Sequence, residues 1–424
     1  MYKKITLKNN LRLVLAPMKS TNTVTVLVVV GTGSRHESVK LNGMSHFLEH
    51  MFFKGTKKRK DTLSISTELD KIGANYNAFT GKEVTGFYIK TDAKHLDLSL
   101  DVISDILLNS KFDLKEVNRE RGVILEEMKM VQDMPMHYVG DLFESLLYGK
   151  SSSGQLIVGT KKNILNFKRK DFLNYFFDRY RSKNIVICVA GKESQVKNSK
   201  GKIEKFFTKT KKGEAKKQDI IEFKNKQKEP QVLIHNKETD QAHICLGVRS
   251  YGLKDERKAA LKLLSIILGG NMSSRLFIEV REKRGLAYYV RSTQDSYVDK
   301  GYLVTQAGVD KNKIEESIKI ILREYKKIAD KGVGNEELQK AKEYIKGISS
   351  IGLETSDQVA SFLTNQEILL GEITTLKENF KKIDKVSVRD IQSMAKDIFV
   401  DSKLNLAVIG GYKNEKKFKD ILKF

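Results

Sequence analysis

Two segments far apart in this 424-residue chain read as copies of one strand. Ile185-Val186-Ile187-Cys188-Val189-Ala190-Gly191 and Leu404-Asn405-Leu406-Ala407-Val408-Ile409-Gly410 are both apolar runs ending on glycine, offset by 219 residues (404 − 185). An amphipathic helix pattern precedes each, at Arg169–Tyr180 and at Val388–Phe399. The apolar strand Val24–Gly31 has a counterpart at Ala242–Val248. Phe87–Lys90, leading into a helix over Ala93–Leu108, is matched by Tyr302–Thr305, leading into Lys313–Ala329. A nearly constant offset across these elements predicts duplication of a unit of roughly 200 residues. The length alone would allow two to four domains.

Within each half, strands come in hairpins and helices follow in runs. That order predicts an α+β fold, with helices packed on a mainly antiparallel sheet. Asn75–Thr80, a Gly81-Lys82 turn and Glu83–Lys90 read as one hairpin. Residues 209–229 are polar and lysine-rich and run up to Pro230, so they are the expected linker between domains at 1–208 and 230–424. The bland alternative is a long exposed helix end.

Composition narrows the function. With 31% charged residues and only 3 prolines, neither a membrane channel nor a proline-rich disordered chain fits. Cys188 and Cys245 sit inside apolar runs, so buried strand thiols are expected rather than a disulfide framework. The net charge of +24 raises nucleic acid as a partner, but only 16 of the 77 basic residues are arginine. The lysines are spread along the chain among acids, without the arginine–aromatic clusters that phosphate and base recognition favours. A solvated basic surface is the expectation, with no nucleic-acid and no membrane partner. The start alternates apolar and polar residues up to Asn9-Asn10, and the early apolar run Val24–Gly31 is too short to cross a bilayer. A cytoplasmic protein is expected.

The chemistry concentrates in His46-Phe47-Leu48-Glu49-His50, inside a helix pattern over Gly43–Phe53. At 3.6 residues per turn, His46 and His50 stack on one face, where two imidazoles can share one tetrahedral zinc. Glu49 lies beside that face, next to the metal without having to bind it, which is the place for a general base acting on water. This is the inverted form of the His-Glu-x-x-His signature. Its neighbours Met44, Phe47, Leu48, Met51, Phe52 and Phe53 make the helix mostly apolar, hence buried, and a buried His-Glu-His trio needs a polar purpose. A catalytic zinc usually takes three protein ligands. The helix pattern over Asp113–Met128 offers Glu116, Glu120, Glu126 and Glu127, and spacing cannot choose between them. The histidines at 36, 95, 137, 235 and 243 show no ligand spacing.

The stretch His-Phe-Leu-Glu-His-Met-Phe-Phe-Lys-Gly-Thr within Gly43–Thr56 resembles the active-site helix of the pitrilysin family of zinc metallopeptidases, which includes insulysin and the mitochondrial processing peptidases. Gly73–Thr80 and Glu120–Met128 are similar to it too, as are Gly31, Ser34-Arg35 and Glu37 upstream. In that family the third ligand is a glutamate about 76 residues beyond the second histidine, and 76 residues lie between His50 and Glu127 (127 − 50 − 1). The resemblance therefore implies Glu127 as ligand and Glu120 as the acid that holds a ligand histidine by its other ring nitrogen. It implies one zinc per chain and two homologous domains facing each other around a chamber. It also implies that the strand Asn75–Thr80, with Asn77, Ala78 and Phe79, pairs with extended substrate.

The second half lacks the histidine motif. Leu268–Phe277 and Arg281–Tyr288 resemble the family's second domain, in which an arginine and a tyrosine seven apart reach the substrate. That implies roles for Arg281 and Tyr288, with Arg284 a rival on the same segment. The activity implied is a zinc-dependent endopeptidase acting on oligopeptides or unfolded segments, with Glu49 as base. The rival is a non-catalytic or partner-dependent scaffold subunit, since some members split the two feature sets between chains. Here both sets occur in one chain, which favours self-sufficient activity and leaves a homodimer open.

Overall fold

The computed structural model describes residues 2–217 and 219–424; Met1, and Gln218 inside the expected linker, lie outside the described residues. The chain forms two compact units, and neither is one continuous stretch. Unit 1 runs to Lys129 and adds Ser151–Glu222 and Ile351–Ile373; unit 2 comprises Met130–Lys150, Phe223–Ser350 and Thr374–Phe424. A single cut at 209–229 therefore differs from the compact units at two places, Met130–Lys150 and Ile351–Ile373. No helix or strand occurs between Phe206 and Gln231 among the described residues. Among the described residues, no helix is long and apolar enough to cross a membrane.

Unit 1 contains β1 (Lys3–Thr6), β2 (Arg12–Met18), β3 (Thr23–Val30), β4 (Asn75–Thr80), β5 (Thr85–Asp92) and β6 (Ile185–Lys192). They form a sheet in the order β1-β2-β6-β3-β5-β4, antiparallel except for β2 beside β6. Unit 2 contains β7 (Gln231–Asn236), β8 (Gln241–Ser250), β9 (Ala287–Ser296), β10 (Gly301–Asp310) and β11 (Leu404–Gly410). Their order is β7-β11-β8-β10-β9, again antiparallel except for β7 beside β11. Strand for strand, β2 to β6 and β7 to β11 follow one plan, which is the duplication expected from the sequence.

The central strands β3, β6 and β11 are mostly apolar and buried at nearly every position because both faces of each sheet are covered. Val24, Val26, Val28 and Val30 of β3 point to one core. Leu27 and Val29 point to another, which includes Ala360 and Leu363. The first core holds the helices of the amino-terminal half: α1 (Met44–Phe52), α2 (Thr62–Asp70), α3 (Leu96–Asn109) and α4 (Leu114–Gln132). The second face carries the helix Ser356–Leu370, which comes from the far end of the chain. Unit 2 repeats the arrangement: α5 (Pro135–Tyr148) places Val139, Phe143 and Leu147 against Cys245, Val304, Ala407 and Ile409.

Each exchanged helix carries one buried carboxylate. Glu367 is wholly buried and pairs with Lys4 at 2.7 Å and Arg12 at 3.1 Å. Glu144 accepts hydrogen bonds from the hydroxyls of Tyr297 and Tyr302. A buried acid left without its partners is strongly destabilising, so these contacts fix which sheet each helix covers. Both cysteine thiols are free and buried, on β6 and β8.

The hairpin departs from the expected one. Its turn is four residues, 81–84, and β5 begins at Thr85. Glu83, expected in the strand, turns aside because its carboxylate pairs with Arg35 at 2.6 Å.

Candidate metal centre and active site

The helix α1 begins at Met44, after Gly43 at a φ of +98°. Only a glycine suits that conformation, and a β-carbon there would come within 2.9 Å of the Gly159 Cα. The apolar residues of α1 are buried. Phe47 packs edge-on to Phe172 with ring centres 4.8 Å apart, and Phe52 packs among Phe87, Phe112 and Tyr180 at 5.1–5.5 Å. This packing fixes the helix and leaves His46, Glu49 and His50 on the remaining face.

His46, His50 and Glu127 come together, with one ligand atom from each lying within 4.8 Å of the other two. The Nε2 of His46 and the Nε2 of His50 each lie 3.5 Å from an oxygen of Glu127. Two ligands of a tetrahedral zinc, each roughly 2.0–2.1 Å from the ion, are about 3.4 Å apart. Two imidazoles and a carboxylate at this spacing fit a zinc ion in donor type and geometry. Of the four acids on α4 that the sequence left eligible, Glu116 pairs with Arg119 and Glu126 with Lys129 along the helix's own surface.

Glu120, one face-repeat before Glu127, is buried beneath the centre. One oxygen lies 3.0 Å from Nδ1 of His50 and the other 2.6 Å from Nζ of Lys54. A carboxylate on Nδ1 makes that nitrogen the protonated one and leaves Nε2 free for a metal. Burial alone would raise the Glu120 pKa, but the hydrogen bonds from His50 and Lys54 hold it below the ordinary value. For Glu127 the hydrogen bond with His46 is the main cause of a lowered pKa. Burial would lower the His46 pKa, yet the hydrogen bond with Glu127 and the charges of Glu127, Glu49 and Glu37 raise it.

Glu49 stands beside the trio and accepts a hydrogen bond from the hydroxyl of Thr80, the last residue of β4. Burial pushes its pKa up, against that hydrogen bond and the two histidines. A carboxylate made more basic at this position can take a proton from a water held at the centre. β4 is an edge strand, and among the described residues its only partner in the sheet is β5. It therefore leaves one row of backbone groups open to an added strand. Asn77 and Phe79 are exposed and Ala78 half-buried; the Phe79 ring lies over Gly86, the one residue that leaves room for it.

Arg281 and Tyr288 belong to unit 2. Arg281 lies in a π-helical turn, Phe277–Glu282, its guanidinium 4.9 Å from the centre of the Phe277 ring and 5.9 Å from that of Tyr288. Tyr288 is 72% exposed, unusual for an aromatic side chain. The rival Arg284 pairs instead with Glu279 at 2.6 Å.

Sequence reasoning missed Lys54 as a neighbour of the site; Glu37 and the strand ending at Thr80 entered only through the family resemblance, without the contacts they make with α1. Lys54 is one turn beyond His50, so the helical period could have placed it beside Glu120. No periodicity signals the contacts of Glu37 and Thr80, because a loop and a hairpin bring them in.

A family profile described as "Insulinase (Peptidase family M16)" matches residues 12–161, and one described as "Peptidase M16 inactive domain" matches residues 166–345. The chain is 37% identical to the "uncharacterized zinc protease YmxG" of Bacillus subtilis, over 95% of this chain and 96% of that protein. It is 32% identical to an "uncharacterized zinc protease" of Streptomyces coelicolor, over 97% of this chain and 90% of that one. The crystal structure of a protease from Helicobacter pylori superposes with a TM-score of 0.89 at 26% identity, covering 96% of this chain and 99% of that one.

Proposed function

The chain belongs to the insulinase family, peptidase family M16, and from that premise we propose that it is a zinc-dependent endopeptidase. The observation that carries the reading is the convergence of His46, His50 and Glu127, with Glu49 beside them. Zinc, when bound, lowers the pKa of water and polarises a carbonyl oxygen.

The residues of the chain then divide the remaining work. His46, His50 and Glu127 hold the ion, and Glu120 orients His50 through Nδ1. Glu49 takes a proton from the attacking water as its oxygen bonds to the scissile carbonyl carbon. When the carbon–nitrogen bond breaks, Glu49 returns that proton to the leaving amine. Thr80 holds the Glu49 carboxylate in place between the two steps.

The open edge of β4 suits an extended segment, which pairs through its backbone and is read weakly at its side chains. Asn77, Ala78 and Phe79 are the contacts assigned to it. Oligopeptides and unfolded segments, rather than folded proteins, are the substrates in this reading. Arg281 and Tyr288 are assigned as hydrogen-bond donors to the substrate carbonyl and the charge that develops on it. The test is His50→Ala, which should lose both zinc and peptide cleavage. A zinc-loaded, active His50→Ala protein would remove the ligand assignment.

A further inference from the structure

The two metal-facing histidines are held differently. His50 is oriented through Nδ1 by Glu120. The Nδ1 of His46 is buried and has no hydrogen-bond partner among the described residues. Among the described residues no hydrogen bond at Nδ1 sets the direction of the His46 ring, which leaves the backbone at the start of α1 to carry more of its positioning.

That backbone is held by a residue outside the helix. Glu37 is wholly buried, and one of its oxygens accepts from the Ser45 amide at 2.6 Å while the other accepts from the Gly43 amide at 2.8 Å. Asn42 Nδ2 donates to the second oxygen at 3.3 Å. The N-cap residue itself makes no side-chain cap, and the first turn of α1 contains no acid. Glu37 therefore supplies from six residues upstream both the acceptors and the negative charge that a helix start calls for. Its own backbone is clasped in turn: Ser152 Oγ donates to the Glu37 carbonyl at 3.1 Å. Arg35, two residues before it, pairs with Glu83 in the hairpin turn. Burial pushes the Glu37 pKa up to about 6, so the carboxylate is held at a cost that a merely space-filling residue would not incur.

We propose that Glu37 is a positioning residue for the metal centre: by pinning the amides of Gly43 and Ser45 it aims His46, whose Nδ1 has no hydrogen-bond partner among the described residues, at the ion. The proposal rests on the reading of His46, His50 and Glu127 as zinc ligands. It separates Glu37 from the other groups behind α1. Among the described residues the hydroxyl of Tyr175, 2.8 Å from Ser45 Oγ and 2.9 Å from Thr32 Oγ1, hydrogen-bonds to side chains and not to a helix amide.

The test compares zinc affinity, by competition with a chromophoric chelator, in wild type, Glu37→Gln and Tyr175→Phe, alongside thermal melting. The amide of Glu37→Gln keeps the shape but must turn a donor toward one of the two backbone N–H groups. Glu37→Gln should bind zinc about 10–100-fold more weakly while folded, with peptide hydrolysis recovering as zinc is raised. Tyr175→Phe should melt lower with zinc affinity unchanged. Unchanged affinity in Glu37→Gln, or an equal loss in Tyr175→Phe, would overturn the proposal. Should Glu37→Gln not fold, Glu37→Asp decides: it keeps the charge but is too short to span both amides, so wild-type affinity there would overturn it as well. Failure of the wild type to bind zinc would instead strike the metal-centre reading beneath it.

Discussion

Replacing Glu120 with glutamine should uncouple zinc affinity from folding. The carboxylate has two claims on it, His50 Nδ1 at 3.0 Å and Lys54 Nζ at 2.6 Å, and its side chain is 4% exposed. Both partners are donors. A glutamine has one acceptor oxygen and must set its NH2 group against the other donor. The loss is one hydrogen bond to a charged group, about 1.5–3 kcal/mol. Part of it falls on folding and part on the metal, because His50 keeps its orientation only while its Nδ1 proton has an acceptor. Partners of this kind are typically worth about 10–100-fold in metal affinity, or about 1.4–2.8 kcal/mol. Lys54→Met should move the affinity less, since the bond from Glu120 to His50 survives. Chelator competition measures both variants, and melting with and without zinc checks that they fold. Affinity of Glu120→Gln within twofold of wild type would refute the argument that Glu120 acts through His50.

Three further outcomes are expected, two from the geometry of the amino-terminal unit and one from the role proposed for Tyr288. In the zinc-free protein, the lowered pKa of Glu127, caused first by its hydrogen bond with His46, gives stability that is complete above the unfolded value of about 4.3 and lost as pH falls through the lower folded one. The melting gap between wild type and Glu127→Gln should therefore close below about pH 4.3, and a gap independent of pH would contradict it. Phe52→Ala removes a wholly buried ring from the aromatic cluster under α1 and should cost about 3–5 kcal/mol in denaturant unfolding of the zinc-loaded protein; a cost below about 1 kcal/mol would mean the cluster does not hold the helix. Tyr288→Phe should lower turnover with zinc content unchanged, and unaltered turnover would take Tyr288 out of the reaction.

Much of this arrangement was legible in the residues, for definable reasons. The spacing of His46 and His50 fixes a shared helical face whatever the surroundings. The apolar runs at 24–31, 185–191 and 404–410 are as apolar as they are because both faces are covered. The acid opposite the histidines was another matter. Helical spacing left Glu116, Glu120, Glu126 and Glu127 equal, and a family resemblance pointed to Glu127, where the fold sets the 3.5 Å contacts. The exchange of α5 and the helix Ser356–Leu370 was not legible. An amphipathic pattern marks a stripe to be buried without saying which sheet buries it; buried Glu144 and Glu367, whose partners are distant in sequence, hold the choice. The hairpin turn was misjudged because Gly81-Lys82 fits a two-residue turn, while the pairing of Glu83 with Arg35 lengthens it to four.

The most direct test is cleavage of an unstructured peptide of about 20–30 residues, long enough for strand addition along β4, by wild type and by Glu49→Gln, with zinc content measured in both. In the proposed reading Glu49 acts on the attacking water and does not hold the ion, so both proteins should hold zinc and only the wild type should cut. Cleavage by zinc-loaded Glu49→Gln at the wild-type rate would remove Glu49 as the base. No cleavage by a zinc-loaded wild type across a panel of such peptides would contradict a self-sufficient peptidase and favour a scaffold subunit.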